Sequence, residues 1–518
     1  MKELKRGVCI AIVSLVIISI FILLEGPSNA ATKSKYGGTL RISVPYDGVS
    51  IGFPAKMVRA YSNMQAAPVL ETLFRTDKTG RLVPWLATRL KDDPVARTVT
   101  LSLRKGVKFH DGTDFNAESV KWNLEQCMAT KSPGTEKFKS IDIIDAYTVR
   151  INLTEWDNTS TSNLAQPIGF MISPTAYKQN GEEWCAKNPV GTGPFQFVSW
   201  EKDVRMVYKK FSGYWQKGKP YLDSIVWAPI MDTMTQEMSL RKGEWDMMLT
   251  NVPKGLAALE KDGYIVTRQR TGSGAVSIIP DSANPKSPFA DVRVRQASQY
   301  AIDTASLVQN LFYGEFEVVN QWIYKGHWGY DPTITGYPYN PDKARKLLAE
   351  AGYPNGFKTR ILYRTDPESD LLFAAIQGYL KTVGIEAELD PATSGRYDQV
   401  AFRGAKWEGL IIDSMSANPD LAGALSQRYV GGGTYFASML APDDYVTAVR
   451  NAVVAKDFNA KQKWTREAMK LMIDKHCLQI VLFCRPVFAT ARASIHDHGI
   501  YETPNTGLWR PEDAWLEQ

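Results

Sequence analysis

Residues 98–125 constrain the local fold more than any other stretch of the chain. The apolar side chains between Val99 and Leu103 alternate with polar ones, which is the period-2 pattern of a half-buried strand. Asp111-Gly112 marks a turn, and Asn116 can cap a helix whose apolar residues recur at helical spacing. The stretch therefore predicts a strand, a turn and an amphipathic helix in direct succession.

The rest of the first half is also rich in strand patterns. Residues 38–44 predict a strand that ends at Pro45, and residues 141–153 predict short strands around turn residues. Residues 57–74 predict a helix. Near residue 275 the pattern changes to helix–strand alternation, so we place a domain boundary there.

The second half predicts a parallel sheet. A strand over residues 359–363, a helix over 368–383 and a strand over 385–389 follow one another with short links, which is a βαβ unit. Residues 409–412 predict a further buried strand, and residues 478–493 predict two more. This half of the chain is therefore expected to be of the α/β class.

Two charged residues follow strands of that predicted sheet. Arg364 comes after residues 359–363, and Asp413 comes after the short buried strand that ends at Ile412. Ligands of open parallel sheets bind outside the carboxyl ends of the strands. A guanidinium and a carboxylate at neighbouring strand ends can therefore grip the two charged ends of a peptide. The alternative is that both are ordinary solvated loop charges.

The N-terminus has the order of a secretory signal peptide. Lys2, Lys5 and Arg6 precede an uncharged apolar run over residues 7–24, and small residues at 28–30 offer a cleavage site. The mature chain is therefore expected to be exported. If the segment is not cleaved, it would anchor the protein to a membrane, although the run is at the short limit for spanning one.

Composition limits the other possibilities. The net charge is +6 over 518 residues and no block of like charges stands out, so nucleic-acid binding is not expected. A chain of this length is expected to form two or three domains. Beyond the signal segment no two cysteines have the C-x-x-C spacing of metal ribbons or redox motifs. Free thiols and disulfides both stay open for Cys127, Cys185, Cys477 and Cys484.

Matches to enzyme motifs are weak. Ser50 lies in a Gly-x-Ser-x-Gly pattern, but Pro54 extends the loop where a nucleophile elbow needs a helix. His496 and His498 alone would make an exposed and weak metal site. The sequence lacks a P-loop and an H-E-x-x-H motif. Neither enzymatic activity nor a cofactor is expected.

Five segments occur in an order that resembles the family 5 extracellular solute-binding proteins, the dipeptide, oligopeptide and nickel receptors of ABC importers. They are GGTLRIS, LRKGVKFHDGTDFNAESV, NPVGTGPF, FADVRVRQASQYAID and YNPDKARKLLAEAGYPNGF. The resemblance implies an α/β, two-lobe periplasmic-binding-protein fold with hinge crossovers and an extra subdomain in the first lobe. The expected parts are a signal peptide (1–30), a first lobe (31–275) with an inserted subdomain (about 70–190), a second lobe (276–483) and a return to the first lobe (484–518).

The same resemblance implies a function. It predicts a periplasmic, monomeric receptor that captures a peptide-like solute between its lobes and delivers it to ABC permease subunits. In peptide-binding relatives an Arg at the place of Arg364 binds the ligand carboxylate, and an Asp after the next matched strand binds its amino terminus. Here Asp413 or Asp420 would take the second role. The open alternatives are another solute (a nickel complex, oligosaccharide, opine or tetrapyrrole) and a receptor that reports to a membrane sensor.

Overall fold

The computed structural model describes residues 34–57, 60–269, 273–416, 419–430, 435–502 and 508–517, so the predicted signal peptide lies outside the described residues. Two large sheets and one smaller sheet organise the chain. Among the helices of the described ranges, none is both long and apolar enough to cross a bilayer.

The first large sheet combines strands from both ends of the chain. Its central strand begins near the N-terminus and is parallel to both neighbours. Its alternate residues Leu40, Ile42 and Val44 are buried in one core. A strand from near the C-terminus is inserted antiparallel between two others. In spatial order the seven strands are Phe195–Glu201, Arg205–Lys210, Ser224–Pro229, Thr39–Val44, Met247–Thr250, Val487–Ala491 and Ile265–Gln269.

The second large sheet contains the predicted βαβ unit. Strand Phe357–Arg364 is parallel to Ile385–Ala392 along its whole length, and helix Pro367–Thr382 connects them, which confirms the prediction. It is also parallel to Leu410–Ser416. In spatial order the six strands are Glu317–Val318, Ile480–Cys484, Ser273–Pro280, Leu410–Ser416, Phe357–Arg364 and Ile385–Ala392.

The stretch from residue 98 to residue 125 forms one strand of the smaller sheet and most of a helix that packs on it. Helix Ala117–Ala129 packs its apolar face on this sheet, and Asn116 caps it in a reciprocal capping box with Ser119, as the sequence predicts. The four strands, in spatial order, are Ala87–Asp93, Thr98–Leu103, Thr148–Leu153 and Phe138–Asp145. His110 then ties this region to the first sheet, because its backbone N–H donates to Gly191 O (2.8 Å) and its Nε2 bonds Gly193 O (2.9 Å).

Helices cover the faces of the sheets. In the first half they are Ala60–Ala66, Thr159–Ser162, Pro174–Asn180, Glu182–Lys187, Thr233–Lys242 and Leu256–Lys261. In the second half they are Val292–Ala301, Thr304–Leu311, Pro341–Glu350, Ser394–Phe402, Leu421–Arg428, Asp443–Val453 and Phe458–Lys470. Short two-stranded pairs complete the fold: Glu71–Thr72 with Phe170–Met171, Phe74–Thr76 with Leu82–Pro84, and Ile495–His496 with Trp515–Leu516.

The chain passes twice between the two large sheets. One crossover leaves the first sheet after Gln269 and enters the second at Ser273, and the other returns through residues 485–486. Strand Ile480–Cys484 runs toward the second crossover. Strand Ser273–Pro280 is antiparallel to Ile480–Cys484 and to Leu410–Ser416, and Leu410–Ser416 is parallel to Phe357–Arg364. The carboxyl ends of Leu410–Ser416 and Phe357–Arg364 therefore lie at the same edge of the sheet as the carboxyl end of Ile480–Cys484. That edge of the second sheet therefore faces the first sheet.

The four cysteines beyond the signal segment are buried, and Cys127, Cys185 and Cys477 are free thiols. Burial raises the pKa of Cys127 and of Cys185 to about 11, and that of Cys477 to about 12. These thiols stay protonated at neutral pH and behave as small apolar side chains.

Candidate functional site

Arg364 presents an exposed guanidinium at the edge of the second sheet that faces the crossovers. It is the last residue of strand Phe357–Arg364, whereas the sequence predicts that the strand ends at residue 363 and that Arg364 follows it. Its side chain is 46% exposed, and Nη2 donates to Asp398 Oδ1 at 2.7 Å. Within the described residues Arg364 makes this one hydrogen bond. The other N–H groups of its guanidinium are therefore available to a ligand.

Asp413 occupies a different environment from the predicted one. Strand Leu410–Ser416 continues past Ile412, so Asp413 lies inside the strand and is 1% exposed. The Tyr429 hydroxyl donates to its Oδ2, and Arg428 Nη1 lies 3.9 Å from its Oδ1. Burial, with Asp413 adding to it, raises the pKa of Tyr429 well above its usual range. Asp413 is therefore already engaged by residues at the C-terminal end of helix Leu421–Arg428.

Tyr397 links Arg364 to Asp413. The Arg364 guanidinium lies 4.9 Å from the centre of the Tyr397 ring. The Tyr397 hydroxyl donates to Ile412 O, the carbonyl next to Asp413, at 2.6 Å. The structure therefore brings Arg364 and Asp413 into one neighbourhood, in which the tyrosine separates an exposed cation from a buried anion.

Asp420 is not part of that neighbourhood. It caps helix Leu421–Arg428 by accepting from Gly423 N, and its Oδ2 is 2.6 Å from Lys461 Nζ in a buried ion pair. The helix has eight residues, so Asp420 and Arg428 are separated by about 12 Å along its axis. Asp420 therefore belongs to the opposite end of this helix.

A cavity of about 600 Å³ runs along one side of that helix, from Asp420 to Gln427, between the two halves of the chain. Asn63 lines it, is 8% exposed and has an Oδ1 that accepts no hydrogen bond in the described residues. Burial, reinforced by the nearby Asp420, raises the pKa of Asp157. The lining combines apolar side chains with many polar ones and carries more acids than bases; its polar members include Glu136, Lys137, Asn163, Gln166, Ser426 and Gln427.

Hydrogen bonds join the two halves around this cavity. Asn158 Nδ2 donates to Ala452 O at 2.8 Å and to Ala455 O at 3.1 Å, and its backbone N–H donates to Val453 O at 3.0 Å. Away from the cavity, the Tyr324 hydroxyl also joins the two halves by donating to Lys78 O at 2.8 Å. The cavity is thus enclosed by segments that are far apart in sequence.

Arg485 is a candidate residue that the sequence patterns do not reveal. It lies in the second crossover, and its Nη2 donates to Glu368 Oε2 at 2.8 Å. Its Nε is buried and has no acceptor among the described residues. Glu368 stands in the first turn of helix Pro367–Thr382, a few residues after Arg364. The only sequence signal is the position of Arg485 between the two predicted C-terminal strands.

The weak enzyme-like matches have structural roles. Ser50 Oγ is nearly buried and donates to Ala186 O at 3.4 Å. His498 is buried, and its Nε2 lies 3.3 Å from Thr267 Oγ1. His496 contacts Glu517 at 3.3 Å. Within the described ranges, no group of three or more His, Cys, Asp or Glu side chains is arranged to hold a metal ion.

Two α/β sheets joined by two crossovers, with charged side chains at the facing edge and a polar cavity between the halves, define a two-lobe solute-binding protein. Residues 81–451 match the model of the Bacterial extracellular solute-binding proteins, family 5 Middle. A glutathione-binding protein, GsiB from Escherichia coli O1:K1 / APEC, is 34% identical over 356 residues, which is 67% of this chain and 69% of that protein. The chain belongs to this family of ABC-importer solute receptors.

Solved structures have the same fold. The periplasmic binding protein DppA from Helicobacter pylori, in complex with peptide STSA, has a TM-score of 0.74 at 24% identity and covers 93% of this chain and 99% of its own. The substrate-binding protein CtaP from Listeria monocytogenes has a TM-score of 0.82 at 19% identity, with 93% and 100% covered. The predicted fold class and receptor class are confirmed. This is a family of binding proteins rather than enzymes.

Proposed function

We propose that the protein binds a short peptide-like solute with a free carboxylate, and that Arg364 is the residue that binds this carboxylate. The exposed guanidinium of Arg364 at the carboxyl edge of the second sheet carries the proposal. The solutes of two relatives, glutathione for GsiB and peptide STSA for DppA, support the peptide-like class.

A ligand carboxylate can easily replace Asp398 as the partner of Arg364. Both side chains of the Arg364–Asp398 pair are nearly half exposed. An exposed pair of this kind contributes about 0.2–1 kcal/mol. A carboxylate enclosed between the sheets can bind the guanidinium in bidentate fashion and in a drier environment, where the interaction is stronger. Exchange of Asp398 for a ligand carboxylate is therefore favourable once the lobes close.

The site for the amino terminus of the solute stays a prediction. Asp413 and Asp420 are both buried and hold neighbouring side chains, so we propose that they position the site. The exposed Glu136 and the partly buried Asp157 line the cavity between the halves and are better placed for a cation. This arrangement separates the anionic end of the solute from the cationic end.

We also propose how the receptor works as a whole. The first lobe comprises residues 31–275, with an inserted subdomain over about 70–190, and residues 484–518; the second lobe comprises residues 276–483. The positions of the strands in the two large sheets support this division. The lobes close on the solute about the two crossovers, and the closed monomer docks on the permease in the periplasm after cleavage of the signal peptide.

A thermal-shift screen of the purified protein tests this function. The ligands are glutathione, free-ended dipeptides and tripeptides, the same peptides amidated at the carboxyl end, nickel salts and oligosaccharides. A ligand at 100 times its Kd stabilises the folded state by about 2.7 kcal/mol. We expect a shift with free-ended peptides that amidation removes. A flat response to all peptides, with a shift for another class, would overturn the proposal and leave the family assignment intact.

A further inference from the structure

Arg485 has the surroundings of a second anion-binding residue. It is in the crossover between Ile480–Cys484 and Val487–Ala491, so it lies where the two sheets meet. About a third of its side chain is exposed. Glu368 binds one of its five N–H donors, and its buried Nε donates to nothing in the described part of the chain. A buried donor without an acceptor, in the crossover between the two sheets, is satisfied when a ligand supplies the acceptor.

Arg364 and Arg485 are placed so that one short ligand can contact both. Arg364 ends the strand, and Glu368 stands four positions later at the start of the next helix. Four residues of extended chain span at most about 14 Å, and a bound tripeptide spans about 10 Å. Each guanidinium is held by one carboxylate, Asp398 or Glu368, at the same edge. Two ligand carboxylates can therefore take the places of two protein carboxylates as partners of the guanidinium groups.

We infer that Arg485 binds a second carboxylate of the solute, and that the solute class is a short peptide with two carboxylates, such as a γ-glutamyl tripeptide. The inference rests on the proposed function, because Arg364 takes the first carboxylate. A free-ended dipeptide without an acidic side chain has one carboxylate and satisfies Arg364 alone. Glutathione has two and satisfies both guanidinium groups. The receptor then prefers glutathione by the interaction that Arg485 contributes.

Calorimetric titration of two ligands against three proteins tests this inference. The ligands are glutathione and the dipeptide alanyl-glycine, and the proteins are the wild type, Arg485→Gln and Glu368→Gln. We expect Arg485→Gln to weaken glutathione binding by about 10- to 100-fold, the usual range for a lost hydrogen bond to a charged group. Alanyl-glycine binding should change by less than about threefold. Glu368→Gln removes only the resting partner and should leave glutathione binding as tight or tighter.

The other outcomes separate this inference from the proposed function. Equal losses for both ligands in Arg485→Gln, with the same losses in Glu368→Gln, would mean that the pair only supports the crossover, which overturns the inference. Unchanged glutathione binding in Arg485→Gln also overturns it. If the wild type binds alanyl-glycine as tightly as glutathione, the second carboxylate has no site and Arg364 keeps its role. If the wild type binds neither, the proposed function fails as well.

Discussion

Arg364 and Arg396 provide a matched comparison at the level of single residues. Both are about half exposed, and each forms an ion pair with an aspartate of the second half, Asp398 and Asp390 respectively. Arg364 ends a strand at the edge that faces the crossovers, whereas Arg396 uses both Nη1 and Nη2 on Asp390 at 2.6 Å. If charge alone attracted the solute, the two arginines would contribute alike.

We expect Arg364→Ala to weaken binding of a free-ended peptide by about 10² to 10³-fold. Loss of one partner from an enclosed charged pair costs about 3–5 kcal/mol, and each 1.4 kcal/mol is tenfold in affinity. Titration calorimetry measures this change. Arg396→Ala is the control and should change the affinity by less than about twofold. Unaltered peptide affinity in Arg364→Ala would remove Arg364 from the site.

The sequence locates Arg364 but misplaces Asp413, for a physical reason. A polar residue after an apolar run usually marks the end of a strand. Here the strand continues because Asp413 is paired with Ser277 of the neighbouring strand, and Tyr429 and Arg428 satisfy the buried carboxylate. These partners are distant in sequence and leave no local pattern. The sequence does not indicate Arg485 for the same reason, because its partner Glu368 is distant in sequence and its place in the crossover is a feature of the fold.

At the level of elements, the sequence predicts correctly those helices and strands whose patterns lie within the element itself. The capped helix Ala117–Ala129 and the βαβ unit of the second sheet have their signals within the element, and both are confirmed. The helix predicted over residues 57–74 was wrong in extent: the described helix is Ala60–Ala66, and a strand pairing begins at Glu71. Pro68 interrupts the helical pattern, and Phe170–Met171 offers the chain a strand partner instead.

Arg268 joins elements on both sides of the first crossover. Its guanidinium bonds Glu260 of helix Leu256–Lys261 at 2.6 and 2.9 Å, and Glu315 of the second half at 2.5 and 2.9 Å. Glu315 is mostly buried. A guanidinium with two bidentate partners has little freedom, so it fixes the strand Ile265–Gln269 against the second half.

We expect Arg268→Met to lower the free energy of unfolding by about 1.5–3 kcal/mol, because Glu315 is left without its charged partner. Thermal or urea unfolding measures this loss. Arg241→Met is the matched control: Arg241 also bonds two acids, Glu237 and Asp262, but all three belong to the first half. The control should lose less than about 1 kcal/mol. Equal losses would show that the crossover gains nothing from Arg268.

At the level of the whole molecule, buried histidines link stability to pH. His327 and His498 are buried and His110 is partly buried, and desolvation lowers the pKa of each to about 4. Backbone contacts agree with neutral rings, since His327 Nδ1 accepts from Gly329 N and His498 Nδ1 accepts from Ile500 N. His327 also bonds Pro419 O through Nε2, between segments distant in sequence.

The protein is therefore expected to lose stability as the pH falls from about 6.5 to about 4. In that range the unfolded chain binds protons on these histidines and the folded chain does not, so the free energy of unfolding decreases. Each histidine contributes about 1.4 kcal/mol per unit of pKa difference. Burial raises the pKa of Asp92 to about 6 and also raises the pKa of Glu71, Asp157, Asp281 and Glu368, which acts in the opposite direction. Bonds to basic side chains lower the pKa of Asp444 to about 2 and also lower that of Asp291 and Asp390, which acts in the same direction as the histidines. Urea unfolding at several pH values measures the slope, and a stability that is flat or rises between pH 6.5 and 4 would contradict the neutral, buried state of the three rings.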